Sequence, residues 1–459
     1  MSPAEGGTAA PARGGAAGPS EGGAAGPAEG GAAGLRRLLA AGSPGLAGHL
    51  ARHGLLPACA GADRWELIGE VERAGLTGRG GAAFPTAAKL RAVRTAAAGR
   101  TPLVIANGTE GEPASGKDRA LLASAPHLVL DGAVYAAGLI GAHEAVVVAH
   151  RDVAGAVTEA AAERRNAARG RRLGGDHVRV RVVKAAPGFV AGEASAVVSW
   201  VERGDARPTG RSPRSGAARP GAPGGPGRRS GRPVLVQNVE TLAHLALIAR
   251  YGAGWFRSAG TSAEPGSMLM TVAGAVQRPG VYEIAIGTPV SELIDRAGGA
   301  REPLTAFLVG GYFGTWVDAA QAAARPFSAA GLAGLGASPG AGLIAALPGS
   351  LCGLAETARL ARYLAAESAG QCGPCVFGLD AIAGQLARVA AGQSAELGMV
   401  RRWLGQVTGR GACRHPDGAA RMIGSALDVF AAETAGHARG WCRAASTARL
   451  LPVPGPVRS

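Results

Sequence analysis

The stretch TPLVIANGTEGEPASGKDR, residues 101–119, decides the fold. Its first part, residues 101–107, is a short apolar run closed by Asn107, the pattern of a buried strand. Directly behind it come glycines, Glu110 and Glu112. In open α/β sheets ligands bind outside the carboxyl ends of the strands, so this polar cluster marks a candidate site. Asn107 offers an amide donor and acceptor. Glu110 and Glu112 can accept from the hydroxyls of a sugar or from a carboxamide. Two further runs read as strands, EAVVVAH (144–150) and the alternating HVRVRVVKA (177–185). Ahead of them HLVLDGAVYAAGLIGA (127–142) has helical spacing. Strand–helix alternation over residues 35–250 predicts an α/β domain with a largely parallel sheet.

Upstream lies GLTGRGGAAFPT, residues 75–86. Closely spaced glycines, Gly78, Gly80 and Gly81, let the backbone approach a phosphate, and Arg79 adds charge. Phe84 can stack on a flat ring, and Lys89 falls in the helix that follows. The loop departs from the G-x-G-x-x-G dinucleotide fingerprint, and a plain glycine turn explains it equally well. Downstream, GFVAGEASA (188–196) holds Gly192 and Glu193, and a second cluster holds Gln237, Asn238 and Thr241. Each is equally compatible with ordinary helix capping.

Beyond residue 250 the pattern changes twice. SMLMTVAG and VYEIAIG flank Gln277-Arg278-Pro279-Gly280, a turn between two strands. Thr288 as N-cap and Pro289 in the first turn then predict a helix. Strand, turn, strand, helix suggests a small β-grasp module over residues 266–325. From residue 350 to 440 the spacing is helical: Leu379, Ile382, Leu386 and Val389 share a face, as do Leu397, Val400, Leu404 and Val407. With Ile423, Leu427 and Phe430 on a further helix, a four-helix bundle is expected. Residues 1–34 repeat Gly/Ala/Pro units and read as a disordered tail; residues 441–459 read as a second tail.

Composition limits the function classes. Hydrophobic residues make up 47% of the 459 but aromatics only 4%, so cores must be built from Ala, Val and Leu. Six cysteines in a chain of this length argue against a disulfide scaffold and for a reducing compartment. No signal peptide is read at the N-terminus, and the apolar region 128–149 is broken by Asp131, His143 and Glu144, which does not suit a membrane span. The net charge is +15, much of it in residues 202–232, where Arg203, Arg207, Arg211, Arg214, Arg219, Arg228, Arg229 and Arg232 meet only Glu202 and Asp205. Such a run could hold nucleic acid. It carries no interleaved aromatics to stack bases, so a solvated loop is the plainer reading. Beside a nucleotide pocket it could also favour the 2′-phosphate of NADPH over NADH.

The cysteines point to chemistry. Cys372 and Cys375 in ESAGQCGPCVFG, with Cys413 further on, form a thiolate cluster of metal or iron–sulfur type. Cys59, Cys352 on an Ala-rich helix and Cys442 read as structural, with Cys442 the only distant candidate for a replacement ligand. A glycine loop and a thiolate cluster in one chain suggest electrons passing from a nucleotide-type cofactor to a metal centre.

Taken in order, GRGGAAFPT, NGTEGEP…KDR, GFVAGE, QNVETLA and ES-x-G-x-C-x-P-C resemble the NADH-binding flavoprotein subunit of respiratory complex I and the related subunits of NAD-linked hydrogenases and formate dehydrogenases. The resemblance spans roughly residues 65–435. It implies a Rossmann-like FMN-binding domain, then a β-grasp soluble-ligand-binding domain, then an all-α bundle holding a [4Fe–4S] cluster. It implies hydride transfer from NADH to FMN and single electrons passed on to the cluster and a partner, an iron–sulfur subunit or ferredoxin. It places Gly78, Arg79, Gly80, Gly81, Lys89, Asn107, Glu110, Gly192, Glu193, Gln237, Asn238 and Thr241 near FMN. Phe84 and Glu112 fall on the nicotinamide-nucleotide contacts. A cytoplasmic protein, peripheral to the inner face of the cell membrane when in a complex, is expected.

The departures matter. Thr109 stands where the family has Asp, and Ala194 where it has a second acid. Ala369 occupies the place of the first cluster cysteine, leaving Cys372, Cys375 and Cys413. Four outcomes follow: a [4Fe–4S] cluster with one non-cysteine ligand, a [3Fe–4S] cluster, a zinc site from the three cysteines and His415, or a vacant site. The competing function is a divergent binding or assembly subunit that has lost the intact cluster.

Overall fold

A computed structural model describes residues 35–40, 43–59, 62–169, 178–209, 232–393, 396–442, 444 and 449–454. The expectations for the 1–34 tail and for Arg211, Arg214, Arg219, Arg228 and Arg229 lie outside those residues, as does much of the 441–459 tail.

The first unit follows from apolar runs separated by capped helices. Helices α1 (Leu46–His53), α2 (Arg64–Ala74) and α3 (Thr86–Ala96) precede strand β1 (Leu103–Gly108). Helices α4 (Lys117–Ser124) and α5 (Pro126–Ile140) lead to β2 (Glu144–Ala149), and α6 (Ala154–Arg169) leads to β3 (Arg179–Lys184). After α7 (Ala194–Arg203), strand β4 (Val234–Asn238) runs straight into α8 (Val239–Arg257). All four strands are parallel, in the order β3-β2-β1-β4. The chain therefore winds outward from β1 in both directions. The crevice above β1 and β4, where Asn107 pairs with Asn238, is the switch point of the sheet. Helices α5 and α8 pack on the sheet through Leu128, Ala133, Ala136, Leu242 and Leu245, all fully or almost fully buried. Alanine fills the space that a chain poor in aromatics leaves open.

The second unit holds β5 (Ser267–Gly274), β6 (Gly280–Ala285), α9 (Val290–Arg296), β7 (Leu304–Val309), β8 (Thr315–Asp318), α10 (Ala319–Ala323), α11 (Ala329–Ala333) and β9 (Leu343–Pro348). Its sheet is mixed, ordered β6-β5-β9-β7-β8, with β5 and β9 parallel and the other pairs antiparallel. The sheet runs past the expected boundary at residue 325: its middle strand is Leu343–Pro348. The cap of α9 also differs from expectation. Thr288 Oγ1 donates to the Ala285 carbonyl at 2.8 Å, and the N-cap is Pro289, without a side-chain hydrogen bond.

The third unit is helical: α12 (Gly353–Ala366), a π-helical turn (Pro374–Leu379) continuing into α13 (Asp380–Ala390), then α14 (Leu397–Val407), α15 (His415–Val429) and α16 (Ala431–His437). Leu379, Ile382, Leu386 and Val389 are buried, as are Val400, Leu404 and Val407. This unit shares one core with the second sheet: Trp316 from β8 lies edge-on to Phe430, ring centroids 5.2 Å apart. Cys352 is not within the Ala-rich helix; it is the N-cap of α12, its sulfur accepting from the Ala355 N–H at 3.4 Å.

Candidate flavin and nucleotide site with a three-cysteine group

A cavity of about 630 Å³ opens above the ends of β1 and β4, within the range of small-molecule sites. The glycine-rich loop forms one wall. It connects α2 to α3 as a closed turn in which Gly78 N–H donates to the Phe84 carbonyl at 2.9 Å and Thr86 N–H to the Leu76 carbonyl at 2.9 Å. Gly81 has φ of 98°, a conformation that a Cβ would strain. Gly78, Gly80, Gly81 and Phe84 all face the cavity.

The charged members of this wall are held back by the protein. Arg79 N–H donates to Thr241 Oγ1 at 2.9 Å, and its guanidinium reaches Thr77 Oγ1 at 3.0 Å and the Pro265 carbonyl at 3.4 Å. Arg79 thus pins the loop to α8, and burial lowers its pKa. Lys89 Nζ donates to the Val236 carbonyl, and burial brings its pKa down to about 8.

On the opposite side, Asn107 Nδ2 donates to the Gly192 carbonyl at 2.9 Å, and Asn107 Oδ1 accepts from Thr109 N–H at 3.2 Å. Asn238 caps α8 through Glu240 N–H at 2.9 Å and donates to Asp118 Oδ2 at 2.7 Å. Glu193 caps α7, accepting from Ser195 and Ala196 N–H at 2.8 and 3.1 Å. Glu110 takes a different part from the one its sequence suggests. Both its oxygens are engaged at the start of α4, accepting from Ser115 Oγ at 2.8 Å, Asp118 N–H at 2.9 Å and Arg119 N–H and Nε at 3.0 Å. A carboxylate so committed shapes the wall and has little left for a ligand.

Several polar atoms at the cavity remain unmatched, Arg79 Nε and His415 Nδ1 among them, and two bear most directly on a ligand. Glu112 Oε2 accepts from Tyr312 N–H at 2.9 Å, while Oε1 is buried without a partner. Burial, with Glu110 adding repulsion, pushes the Glu112 carboxyl up to about 8. Gln237 Nε2 is likewise buried and unpaired. A buried unmade hydrogen bond costs about 1–3 kcal/mol, so these atoms are suited to pairing with a bound ligand. A planar ring flanked by amide and carbonyl groups fits this donor set, which supports a flavin and a nicotinamide here.

Sequence reasoning misses several residues that complete the walls. Lys117 is buried between Asp118 at 2.8 Å and Glu240 at 2.7 Å. Burial disfavours its charge, yet the two carboxylates keep its pKa above the ordinary lysine value. Its signal is the run KDR, which stands in the motif series. Phe189 and Phe313, edge-on with centroids 4.7 Å apart, come from two different units and have no local signature. Ser338 and Gly340 from the second unit, and Arg414 and Arg421 from the third, also line the cavity.

Cys413 lines it too. This thiol stands before α15, beside Cys372 and Cys375 at the π-helical turn; Cys372 Sγ accepts from Ala412 N–H at 3.5 Å. Burial, with Cys372 adding to it, pushes the Cys375 thiol up to about 12, so a metal would displace protons on binding. Ala369 supplies no fourth donor. His415 does not take that place: its Nε2 faces the Leu364 carbonyl at 2.7 Å. Among the described residues, the three thiols and His415 are not gathered within the 4.8 Å that a single ion requires. Three thiolates without a fourth fit an iron–sulfur cluster with an open iron better than mononuclear zinc. Cys442 belongs to neither arrangement; its thiol sits with Cys352 and His437.

A parallel sheet with its ligand crevice joined to a thiolate group defines a flavin- and iron–sulfur-type redox subunit. Residues 71–247 match the family described as the Nuo51 FMN-binding domain, 269–311 the SLBB domain, and 350–437 the NADH-ubiquinone oxidoreductase-F iron-sulfur binding region. The F-subunit of NADH-quinone oxidoreductase from Mycobacterium tuberculosis (strain ATCC 25618 / H37Rv) is 30% identical over 391 residues, covering 82% of this chain and 85% of the relative. The first of two such F-subunits from Rhizobium meliloti (strain 1021) is 31% identical, covering 80% and 85%. The chain belongs to the family of NADH-quinone oxidoreductase F-subunits. Among solved structures, an air-oxidised NAD⁺-reducing [NiFe]-hydrogenase superposes with a TM-score of 0.72 at 30% identity; the match covers 83% of this chain and 64% of that chain.

Proposed function

We propose that this chain is the NADH-oxidising flavoprotein subunit of a larger electron-transfer assembly. It takes hydride from NADH onto FMN and passes single electrons through an iron–sulfur site to a partner subunit or ferredoxin. One observation carries the reading: the glycine-rich loop and Cys413 line the same cavity, so flavin and cluster bound as proposed would be neighbours.

The residues divide the work. The backbone of Gly78, Gly80 and Gly81 would cradle phosphate, with the loop fixed by Arg79 and Thr241. Asn107, Gln237 and Asn238 would orient the isoalloxazine, Gln237 Nε2 donating the bond it lacks in the bare protein. Phe84 would lie against the nicotinamide nucleotide, and Glu112, neutral at physiological pH, would meet its carboxamide. FMN supplies the conversion of a two-electron donor into one-electron steps, and the side chains exclude water and fix orientation. Cys372, Cys375 and Cys413 would hold the cluster, the iron nearest Ala369 taking a non-cysteine ligand. The strand order of the second unit supports a β-grasp module, and α12 to α15 support a helical bundle. Among the described residues no single helix is long and apolar enough to cross a membrane.

Anaerobic purification tests this. The protein should bind FMN, carry iron and sulfide, and reduce ferricyanide with NADH. Failure to retain FMN or iron after reconstitution would refute the assignment.

A further inference from the structure

We propose that Cys352, His437 and Cys442 form a zinc site distinct from the three-cysteine group, its fourth position left to water or to Glu433, which lies beside Cys352 but outside the three-residue set. Among the described residues these three are the one set of metal-capable side chains whose ligand atoms all lie within 4.8 Å of one another. Cys352 Sγ stands 3.3 Å from His437 Nε2 and 3.5 Å from Glu433 Oε2. Zinc–sulfur and zinc–nitrogen bonds at a tetrahedral angle place S and N about 3.6 Å apart, close to what is seen. Two thiolates and an imidazole, with water or a carboxylate in the fourth position, form a donor set that zinc accepts.

The ligands come from three separate pieces of backbone, each held by its own structure. Cys352 is fixed as the N-cap of α12, where Ala355 N–H donates to its sulfur at 3.4 Å. Glu433 and His437 lie four residues apart on α16, hence on one face a turn apart. Glu433 Oε2 also accepts from Gly353 N–H at 3.0 Å, which docks α16 against the start of α12. Cys442 is returned to this point by a closed turn. Gly440, with φ of 73°, lets Gly440 N–H reach the His437 carbonyl and Trp441 N–H the Gly436 carbonyl, both at 3.0 Å. That pair of bonds is a Schellman motif, and it sets the direction of the residues that follow. The Trp441 indole packs over Gly436, where a Cβ would come within 2.9 Å of the ring.

Binding replaces two S–H bonds with two Zn–S bonds and releases two protons to solvent; no oxidant is needed. The ion would tie the segment after α16 to the N-terminus of α12. It would be a structural staple beneath the cluster-bearing helices, independent of flavin or iron.

Full-length protein produced with zinc supplied and purified anaerobically provides the test. Elemental analysis should find one zinc per chain in the wild type and in Cys375→Ala. His437→Ala and the exposed Cys442→Ser should lose it, with an affinity loss exceeding the ~10–100-fold that follows removal of a metal ligand's outer-shell partner. Absorption at the zinc K-edge of the wild type should show two sulfur and two nitrogen or oxygen neighbours. The proposal is overturned if the wild type holds no zinc, if zinc leaves with Cys375→Ala but stays in Cys442→Ser, or if the edge shows three sulfurs. A Cys352–Cys442 disulfide in zinc-free, anaerobically prepared protein would also overturn it, making the pair a redox couple.

Discussion

Glu112 and Lys117 solve opposite problems of burial within one cavity wall. Lys117 keeps its charge because Asp118 and Glu240 both face it, whereas Glu112 has only backbone donors and the repulsion of Glu110. Its pKa rises from 4.5 to about 8, so between those values the folded chain holds a proton that the unfolded chain releases. The stabilising contribution is complete below the unfolded value and is lost as pH climbs through the folded one. Glu112→Gln keeps the neutral form at every pH. The stability of the wild type relative to this variant should therefore fall with rising pH in that window, by at most ~1.4 kcal/mol per unit, as urea titrations at several pH values would show. Equal slopes for the two proteins would remove the neutral-carboxyl argument. For Lys117→Met the expectation is a loss of about 3–5 kcal/mol in the same assay at neutral pH, because two buried carboxylates lose their shared cation.

At the scale of elements, what the sequence discloses depends on how local the cause is. Strands β1 and β2 and helix α5 can be read because each is a self-contained apolar run with a capping residue or glycine at its end. Strand β9, LIAALP, escapes notice because a glycine-rich approach, residues 331–342, hides its start and its partners are distant in sequence. Glu110 reads as a ligand contact because its role as a cap for α4 depends on a turn that brings it against Asp118, eight residues on. Cys352 and Cys442 lie too far apart for any spacing rule to join them. Ala369, by contrast, is legible and local. It lies between α12 and the π-helical turn, next to Gly370 with φ of 65°. On the proposed reading, Ala369→Cys should offer the cluster a fourth thiolate. Iron per flavin should rise towards four, and oxidative loss of iron in air should slow, both followed by iron assay and low-temperature EPR. Unchanged iron content would mean that this loop does not face the cluster.

Across the whole molecule the three units meet at one cavity, and on the proposed reading that convergence would give electrons a direction. The switch point of the parallel sheet supplies the proposed flavin crevice, the mixed sheet supplies Gly310, Phe313, Gly314, Thr315 and Gly340, and the N-terminal end of α15 brings Cys413 to the same space. Phe189 and Phe313 interlock across the seam, and His415 stacks edge-on to Phe313 at 5.3 Å. On the proposed reading, hydride enters on the side of Phe84 and Glu112, and single electrons leave past Cys413. Such a path predicts separable halves. Cys375→Ala would remove a buried thiol of the proposed cluster site without touching the cavity lining. NADH oxidation by ferricyanide, a small oxidant able to reach the flavin edge, should stay within about twofold of the wild type in both kcat and KM. Reduction of an iron–sulfur partner protein should drop ~10-fold or more, since the relay is broken after the flavin. A parallel fall in both assays would mean that the thiolates support flavin binding itself, and the two sites would then be one cooperative structure rather than successive stations.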